Sequence, residues 1–315
     1  MTTAPTTPTA STAPSRAAWL PDRIDGRITV VAWLNFIGNV LIIATGGAVR
    51  LTGSGLGCPT WPLCTPDSLV PTPALVDDGI HSLIEFGNRL MSPLLGILAL
   101  VLLVLVWRLR RTRRDVFVLA WVVMGGVLAQ AVVGGITVWT GLNPFIVGFH
   151  YVASLTLVCV TAALLVRLHT APGPRERAVP AWYAITTHVT TLVLALTIAF
   201  GVLTTGAGPH SGDATAGRNG FDATILEHVH AWPGYALLVL TLVLTVAAWL
   251  RRLPTRRWIT ALLIVEFVQI AVGLYQARNG LPELAVGVHM VLAALTAAAM
   301  TVVVMRLTAP RTARS

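Results

Sequence analysis

Three histidines in long apolar segments are the residues of this sequence best suited to chemistry. They are His150, His230 and His289, and each lies about one to two helical turns from the same end of a predicted membrane span. Ionisable side chains are costly inside a bilayer and are functional candidates by default. Two imidazoles on separate helices, with small residues nearby, suit the axial positions of a six-coordinate heme iron. The pattern predicts heme binding, with histidines that only hydrogen-bond to neighbouring helices as the alternative.

A repeated segment relates two of these histidines. Residues Gln130–His150 match residues Gln269–His289 without a gap, with the same opening Gln, the same Gly-Leu pair and the same closing His. An ungapped match of this length indicates an internal repeat. Each copy consists of an apolar run, a short turn and a second apolar run with His near its start. The repeat therefore places His150 and His289 at equivalent positions in two similar units.

The similarity extends to the remainder of both halves. Thr52–Gly55 resembles Thr205–Gly208, and Ile84–Asn88 aligns with Leu226–His230. Each half has four spans, an even number, so the halves share one orientation and should be related by an axis along the membrane normal. The predicted fold is an all-α polytopic membrane protein, with eight transmembrane helices arranged as two pseudo-symmetric four-helix bundles.

The two halves differ where chemistry is expected. His230 and His289 both lie in the second half, and we expect them to face each other across one heme. In the first half His150 matches His289, but Asn88 stands where the second half has His230. Asn is a poor iron ligand compared with imidazole. The first pocket is therefore predicted to be open for a substrate, with His150 as its one strong ligand.

Two further polar residues share a helix face with Asn88. Glu85 lies three residues before Asn88, and His81 lies four residues before Glu85. The helical rise places His81 about 10 Å from Asn88 along the axis, too far for a simple exchange of ligands. As an ionisable residue inside a span, Glu85 is a functional candidate. The alternative is a structural ion pair between Glu85 and Arg50 or Arg89.

Three other polar residues are assigned lesser roles. Glu227 aligns with Glu85 and is expected only to hydrogen-bond within the bundle. His228 is two residues from His230, cannot share its helix face, and is expected to support that ligand or to be structural. His210 lies in a Gly-Pro-His-Ser-Gly-Asp loop and is expected to be solvated, with contact to heme propionates as the alternative.

The composition assigns the chain to a membrane. Of its 315 residues, 55% are hydrophobic and 11% are charged, which is not the balance of a soluble domain of this length. The formal net charge is +9, and every basic residue is Arg. These residues form short clusters between apolar runs, which is typical of cytoplasmic loops rather than of a nucleic-acid surface. The partner implied is the lipid bilayer, and no nucleic acid is expected.

Eight apolar runs approach the ~20 residues that a bilayer requires. The predicted spans are 30–49, 82–107, 116–138, 146–167, 182–204, 225–249, 258–277 and 285–306. Arg-rich and Arg-poor connections alternate, so both termini are predicted to be cytoplasmic and the histidines to lie toward the outer side.

The spans define five regions. Residues 1–29 are predicted to be a disordered cytoplasmic tail without the apolar core of a signal peptide. Residues 30–167 form the first bundle with the substrate pocket, and residues 182–306 form the second bundle with the cofactor pocket. Residues 168–181 are a cytoplasmic linker, and residues 307–315 are a cytoplasmic tail.

Two of the three cysteines flank a short loop on the predicted outer side. Cys58 and Cys64 would face a compartment that permits disulfides, and no nearby Cys or His cluster completes a zinc set. A disulfide is favoured, with free thiols or a metal-binding pair as alternatives. Cys159 lies inside an apolar run and is expected to be a packing residue.

These features together resemble the heme A synthase family over nearly all of the chain after the tail. The resemblance depends on the histidines of spans four, six and eight and on three motifs, Gly46–Cys58, Trp61–Cys64 and Ile84–Arg89. It implies eight spans in two similar halves and oxidation of the C8 methyl group of heme O to a formyl group, which gives heme A for terminal oxidases. Two successive hydroxylations would give a geminal diol, which loses water to form the aldehyde.

The resemblance also implies roles for individual residues. His230 and His289 would be the axial ligands of a heme b cofactor, and His150 would be an axial ligand of heme O. Glu85 matches the important acidic residue of the family and would be the catalytic residue that stabilises charge or transfers a proton. Cys58 with Cys64 matches the outer cysteine pair of the family. Many members have His where this chain has Asn88, which leaves His81, Glu85 or water as the sixth partner of the substrate heme.

The resemblance further implies a location and partners. The protein would be a multi-pass protein of the cell membrane, with heme O synthase and cytochrome oxidase assembly factors as candidate protein partners. A homo-oligomer is left open. Two other functions are considered. A diheme electron carrier of cytochrome b type would have four equivalent ligands, which Asn88 argues against. A transporter of parallel repeats would have broken helices at mid-membrane, whereas these polar residues cluster toward one end.

Overall fold

The described part of the chain folds into eight long helices that match the eight predicted spans. The computed structural model describes residues 19–77 and 79–311, so most of the predicted N-terminal tail and the last four residues lie outside the described part. The long helices are α1 (Gly26–Leu51), α3 (His81–Leu105), α4 (Arg114–Trp139), α5 (Pro144–Leu168), α6 (Ala181–Ala207), α7 (Ala223–Leu250), α8 (Arg256–Arg278) and α9 (Glu283–Met305). Each is long and apolar enough to cross a membrane. The predicted all-α polytopic fold is therefore confirmed.

Four shorter elements lie in the connections of the described part of the chain. Helix α2 (Pro73–Asp77) precedes α3, and a 3₁₀ turn (Trp107–Arg110) follows it. Strands β1 (Arg175–Arg177) and β2 (Thr308–Pro310) pair antiparallel. The sequence predicted only a linker at residues 168–181 and a tail at residues 307–315, where these strands lie. The strand pair joins the connection between the halves to the segment after α9.

Polar side chains fix where several helices begin. Asp25 accepts a hydrogen bond from the backbone N–H of Ile28, Asn143 caps α5, and Asp222 caps α7 through Ile225. Such caps satisfy backbone donors that have no partner inside the helix. The bond from the Ile28 N–H also lowers the pKa of the Asp25 carboxyl.

The two copies of the repeat share an unusual turn. Gly141 and Leu142 both have positive φ, and so do the equivalent residues Gly280 and Leu281. The Leu142 N–H donates to the Thr137 carbonyl at 2.8 Å, and the Leu281 N–H donates to the Gln276 carbonyl at 2.9 Å. A positive φ is uncommon for Leu. Its occurrence at both equivalent positions supports the pseudo-symmetry at the level of the backbone.

Each half is a bundle in which neighbouring helices pack in a ring. In the first half α1, α3, α4 and α5 pack in that cyclic order, and in the second half α6, α7, α8 and α9 do the same. The helices that carry the candidate ligands, α3 with α5 and α7 with α9, are diagonal and do not pack extensively on each other within the described residues. Diagonal placement leaves the space between them for a ligand in the bundle interior.

The halves meet mainly through the last helix of each bundle. Helix α5 packs on α9, α1 packs on α9, and α5 packs on α6. On the α5–α9 contact, the Tyr151 hydroxyl donates to the backbone carbonyl of Met290 at 2.9 Å. Tyr151 and Met290 are equivalent positions of the repeat, so their contact marks the pseudo-twofold axis. The two residues directly follow His150 and His289.

Each bundle has a cluster of buried apolar residues at the end away from the histidines. In the first half a fully buried cluster includes Ile28, Val116 and Leu164. In the second half the corresponding cluster includes Ile259 and Met300. All five residues belong to the helix ends next to the Arg-rich connections. The histidines lie at the opposite ends of both bundles.

Candidate functional site

His230 on α7 and His289 on α9 face each other in the interior of the second bundle. Their ring centroids are 6.2 Å apart, and the ring planes make an angle of 81°. A metal–imidazole nitrogen bond is about 2.0–2.1 Å and a ring nitrogen lies about 1.1 Å from its centroid, so two imidazoles on opposite sides of one metal ion would have centroids roughly 6.3 Å apart. The observed separation fits a single metal ion between the rings.

The His230 ring is oriented by helix α6. Its Nδ1 hydrogen-bonds to the backbone carbonyl of Thr197 at 2.9 Å, which leaves Nε2 as the nitrogen available for a metal. A methyl group at Gly201, one turn further along α6, would lie 2.8 Å from Cε1 of this ring. Gly201 therefore allows the imidazole to lie directly against the helix backbone.

The His289 ring has a similar support on helix α8. A methyl group at Gly273 would lie 3.0 Å from its Cε1 atom. The Nδ1 atom of His289 is buried and makes no hydrogen bond of normal geometry with the described residues. Both rings of the second half are thus packed against a glycine of the preceding helix in the chain.

His150 occupies the equivalent position in the first half with looser packing. Its ring lies beside Gly134, where a methyl group would be an ordinary 3.6 Å from Cε1. Gln130 donates to the His150 carbonyl at 2.8 Å and also to the Ser154 hydroxyl. The Nδ1 atom of His150 is buried without a hydrogen-bond partner among the described residues.

Asn88 is engaged by helix α1 rather than by His150. Its Oδ1 accepts a hydrogen bond from the Thr45 hydroxyl at 2.7 Å. No hydrogen bond joins Asn88 to His150 within residues 19–77 and 79–311. The first half therefore presents one imidazole and, on the diagonal helix, an amide whose oxygen is already bonded.

Glu85 is buried and held in place from two sides. It is 4% exposed, accepts a hydrogen bond from the Cys58 backbone N–H at 2.6 Å and forms an ion pair with Arg89. Arg50, the other candidate partner, instead donates to the Thr205 carbonyl across the boundary between the halves, at 3.0 Å. Of the two proposed ion pairs, the one with Arg89 is present.

The Arg89 guanidinium extends this network into the loop after α1. It donates to the backbone carbonyls of Cys58 at 2.9 Å, Thr60 at 2.8 Å and Leu63 at 3.2 Å. A buried charge that is paired and fully hydrogen-bonded tolerates the low dielectric of its surroundings. Glu85 and Arg89 together therefore hold the 58–64 loop against α3.

The cysteine pair closes the same loop. Cys58 and Cys64 are joined as a disulfide, and both are fully buried. Between them, Trp61 packs edge-on against Trp139 with ring centroids 5.2 Å apart, and a methyl group at Gly135 would clash with its ring. The loop is thus anchored on α3 and α4 at the histidine end of the first bundle.

His81 is the first residue of α3 and lies next to the loop that follows α1. Its Nδ1 hydrogen-bonds to the Ser54 hydroxyl at 2.9 Å, and its backbone packs against Gly57. The side chain is directed to the loop after α1 rather than along α3 toward Asn88. The structure does not bring His81 together with His150.

The residues assigned lesser roles lie outside both interiors. His228 is exposed and its Nδ1 bonds to the Thr224 carbonyl at 2.8 Å on its own helix. Glu227 is also exposed, and His210 lies half-buried in the loop after α6. Neither His210 nor Glu227 joins the ring pair of the second half.

Two residues near these sites were not identified from the sequence. Glu266 on α8 is a carboxyl only 2% exposed, and its signal, an acid in the middle of an apolar run, was present in the sequence. Tyr151 was not identifiable, because its importance comes from a contact between the halves. The described residues contain no cluster of three or more His, Cys, Asp or Glu side chains that could hold a metal ion.

Comparison with known proteins identifies similar chains. The profile of the cytochrome oxidase assembly protein family, COX15-CtaA, matches residues 29–211, more than half of the chain. The chain is 36% identical over 136 residues to a protein of Lysinibacillus sphaericus named heme A synthase, covering 42% of this chain and 41% of that protein. A heme A synthase of Halalkalibacterium halodurans is 30% identical over 135 residues, covering 42% and 44%. The matched segments span less than half of the length of these curated relatives.

Proposed function

This chain belongs to the cytochrome oxidase assembly protein family, and we propose that it is a heme A synthase that oxidises the C8 methyl group of heme O to a formyl group. The observation that carries the proposal is the contrast between the halves. The second half has two facing imidazoles at a separation suited to one metal ion. The first half has one imidazole opposite an amide. A permanent cofactor suits the former and an exchangeable substrate suits the latter.

The second bundle is the proposed cofactor site. His230 and His289 would hold the iron of heme b, and the hydrogen bond from His230 Nδ1 to Thr197 would fix the ring that faces it. When bound, heme b supplies a one-electron carrier. Gly201 and Gly273 keep both rings close to the helix backbones and so restrict their rotation.

The first bundle is the proposed substrate site. His150 would bind the iron of heme O on one side, and Asn88 would leave the other side without a strong protein ligand. A ligand held strongly on one side exchanges more readily than a ligand held on both sides, which suits a substrate that must enter and leave. The disulfide loop, which lies at the histidine end of this bundle, would cover the site and limit access of water.

Glu85 is proposed to act at the edge of the substrate site. Its carboxylate is held by Arg89 and by the Cys58 N–H, so its position is fixed before substrate binds. In that position it would stabilise positive charge or transfer a proton during the two hydroxylations. The contacts of Glu85 with Arg89 and Cys58 also hold the 58–64 loop in place. Tests of Glu85 variants therefore need one measurement of catalysis and one of loop stability.

The location and partners follow from the same proposal. The protein would lie in the cell membrane with both termini cytoplasmic, since the Arg-rich connections lie at the end opposite to the histidines. Heme O synthase would supply the substrate, and cytochrome oxidase assembly factors would receive the product. A diheme electron carrier is the second candidate function. Equivalent heme ligands in both halves would favour this function.

The test is product analysis of the unsubstituted protein and of a variant confined to the first half. The chain is co-expressed with a heme O synthase, and extracted hemes are separated by chromatography. The unsubstituted protein should yield heme A, and His150→Ala should lose heme A while retaining heme b. An unsubstituted protein that binds heme but leaves heme O unchanged would support the electron carrier. Full heme A yield from His150→Ala would contradict the assignment of the substrate site.

A further inference from the structure

A polar stripe on α8 has no counterpart in the first half. Glu266, Gln269 and Gln276 lie on one helix face together with Gly273, the residue against which His289 packs. Each of the three polar side chains has a buried oxygen without a hydrogen-bond partner among the described residues. Leaving such an atom unpaired is energetically unfavourable. Buried water commonly satisfies polar groups of this kind.

The repeat supplies an internal comparison for this stripe. The equivalents of Glu266, Gln269 and Gln276 on α4 are Val127, Gln130 and Thr137. Val127 is a buried apolar residue. Gln130 donates to the His150 carbonyl at 2.8 Å and Thr137 donates to the Gly134 carbonyl at 2.6 Å. Within the described residues, unpaired oxygens at these positions therefore occur on α8 and not on the equivalent helix α4.

Glu266 is the inner end of the stripe. One oxygen of its carboxyl accepts a hydrogen bond from the Thr241 hydroxyl on α7 at 2.9 Å, and the other has no partner. The same helix face continues with Leu262 and Ile259, which are fully buried in the apolar cluster of the second half. The polar stripe therefore ends at Glu266 and continues only toward the C-terminal end of α8.

The length of the stripe corresponds to half a membrane. From Gln276 to Glu266 the helix rises about 15 Å, against a hydrocarbon thickness of about 30 Å. We propose that Glu266, Gln269 and Gln276 line a hydrated path that carries protons between one membrane surface and the Glu266 carboxyl near mid-membrane. At its inner end the carboxylate takes a proton from hydronium, giving the carboxylic acid and water.

The path has a role in the second pocket. It passes Gly273, which touches the His289 ring, and ends about two helical turns further inward. A change in charge at a metal ion in a low-dielectric interior is stabilised when a nearby group gains or loses a proton. This role rests on the proposed function, because heme b is the redox group it serves. The hydration of the path does not depend on that function.

Hydration is tested by thiol accessibility. Gln276→Cys, Gln269→Cys and Glu266→Cys are each placed in a Cys159→Ala background, since alanine already stands at the equivalent position 298. A small water-soluble methanethiosulfonate reagent is applied to the membrane-embedded protein, and intact mass is measured. We expect all three thiols to react. Controls at Val127→Cys, equivalent to Glu266, and at Leu262→Cys, one turn beyond it, should react at least tenfold more slowly. Equal protection of the stripe and the controls would overturn the proposal.

A second measurement needs no substitution in the stripe. Amide hydrogen exchange of the unsubstituted protein should be faster in residues 266–276 of α8 than in the equivalent residues 127–137 of α4. Equal protection of both segments would overturn the hydrated path, whether or not the cysteine variants accumulate.

Proton transfer is tested by infrared spectroscopy of the heme-loaded protein. The reduced-minus-oxidised spectrum should contain a carboxylic acid carbonyl band that Glu266→Gln removes and that Glu227→Gln, at an exposed side chain, retains. A band that survives in Glu266→Gln, or no such band in the unsubstituted protein, would overturn the proton role. A protein that binds no heme would instead refute the proposed function, and the accessibility results would still stand.

Discussion

The Glu85 carboxylate accepts a hydrogen bond from the Cys58 backbone N–H at 2.6 Å. This contact joins the acidic residue of α3 to the first residue of the disulfide loop. Arg89, paired with the same carboxylate, bonds to three carbonyls of that loop. The sequence suggested two separate features, an acidic residue and a cysteine pair. In the folded chain they form one structure at the end of the first bundle.

Glu85→Ala should abolish heme A formation while the second-half heme b is retained. The substitution leaves the Arg89 guanidinium without its carboxylate in a buried setting, and breaking such a pair typically costs about 3–5 kcal/mol. Heme content and heme A yield are measured by chromatography of extracted hemes. Glu227→Ala is the control, because Glu227 aligns with Glu85 but is exposed. Glu85→Gln separates the two roles. The Gln side chain can still accept the hydrogen bond from the Cys58 N–H. If the loop is stable but no heme A forms, the carboxylate of Glu85 acts in the chemistry. If Glu85→Gln restores heme A formation, the role of Glu85 is structural.

His230→Ala and His289→Ala should each abolish the low-spin optical spectrum of the second-half heme. Each removes one of two facing imidazoles whose centroids are 6.2 Å apart, and a heme iron with one strong protein ligand changes its spin state. The spectra of purified variants are compared with that of His228→Ala, whose side chain is exposed and bonded to its own helix. A low-spin spectrum preserved in both ligand variants would sink the assignment.

Gly201→Ala should displace the His230 ring and reduce heme retention in the second half. The new methyl group would lie 2.8 Å from Cε1 of His230, and such overpacking costs about 1–3 kcal/mol. Gly134→Ala is the matched control, because its methyl group would lie 3.6 Å from the His150 ring in ordinary contact. Heme content per chain and the thermal midpoint are measured for both. Equal effects of the two substitutions would show that close packing on the ring is not the cause.

Asn88→His should convert the first pocket toward bis-histidine ligation. The imidazole would stand at the position equivalent to His230 and would remove the hydrogen bond from Thr45. We expect more low-spin heme per chain and slower release of heme O. Optical spectroscopy measures the low-spin heme, and transfer of heme to an excess of apomyoglobin measures the release rate. A spectrum and release rate identical to those of the unsubstituted protein would contradict the assignment of Asn88 to this pocket.

Alkylation of the denatured, non-reduced protein should modify one cysteine of three. Cys58 and Cys64 are joined, whereas Cys159 is a free thiol. Peptide mapping without reductant should recover residues 58 and 64 in one linked species. Removing the crosslink with Cys58→Ser and Cys64→Ser should cost about 2 kcal/mol of stability for a loop of this size. Three alkylated cysteines in freshly purified protein would argue for free thiols.

The sequence by itself determined the eight helices, the two halves and their common orientation. A run of apolar residues as long as a bilayer is thick has few conformations open to it other than a helix, so composition and length were sufficient. The repeat was also readable, because its ungapped match preserved even the left-handed Gly-Leu turn at Gly141 and Gly280. The alignment of the two halves also showed that Asn88 occupies the position equivalent to His230.

Only the tertiary structure decided which side chains meet. Glu85 had two candidate partners, Arg50 and Arg89, and the rotation of α1 relative to α3 determines that Arg50 reaches Thr205 of the other half instead. The Tyr151–Met290 contact and the unpaired oxygens of α8 likewise depend on how helices distant in sequence are rotated against each other. Hydrophobic patterning sets which residues are inside a membrane helix bundle. The contacts between particular side chains arise from packing shape and hydrogen-bond geometry, which depend on all neighbouring helices at once.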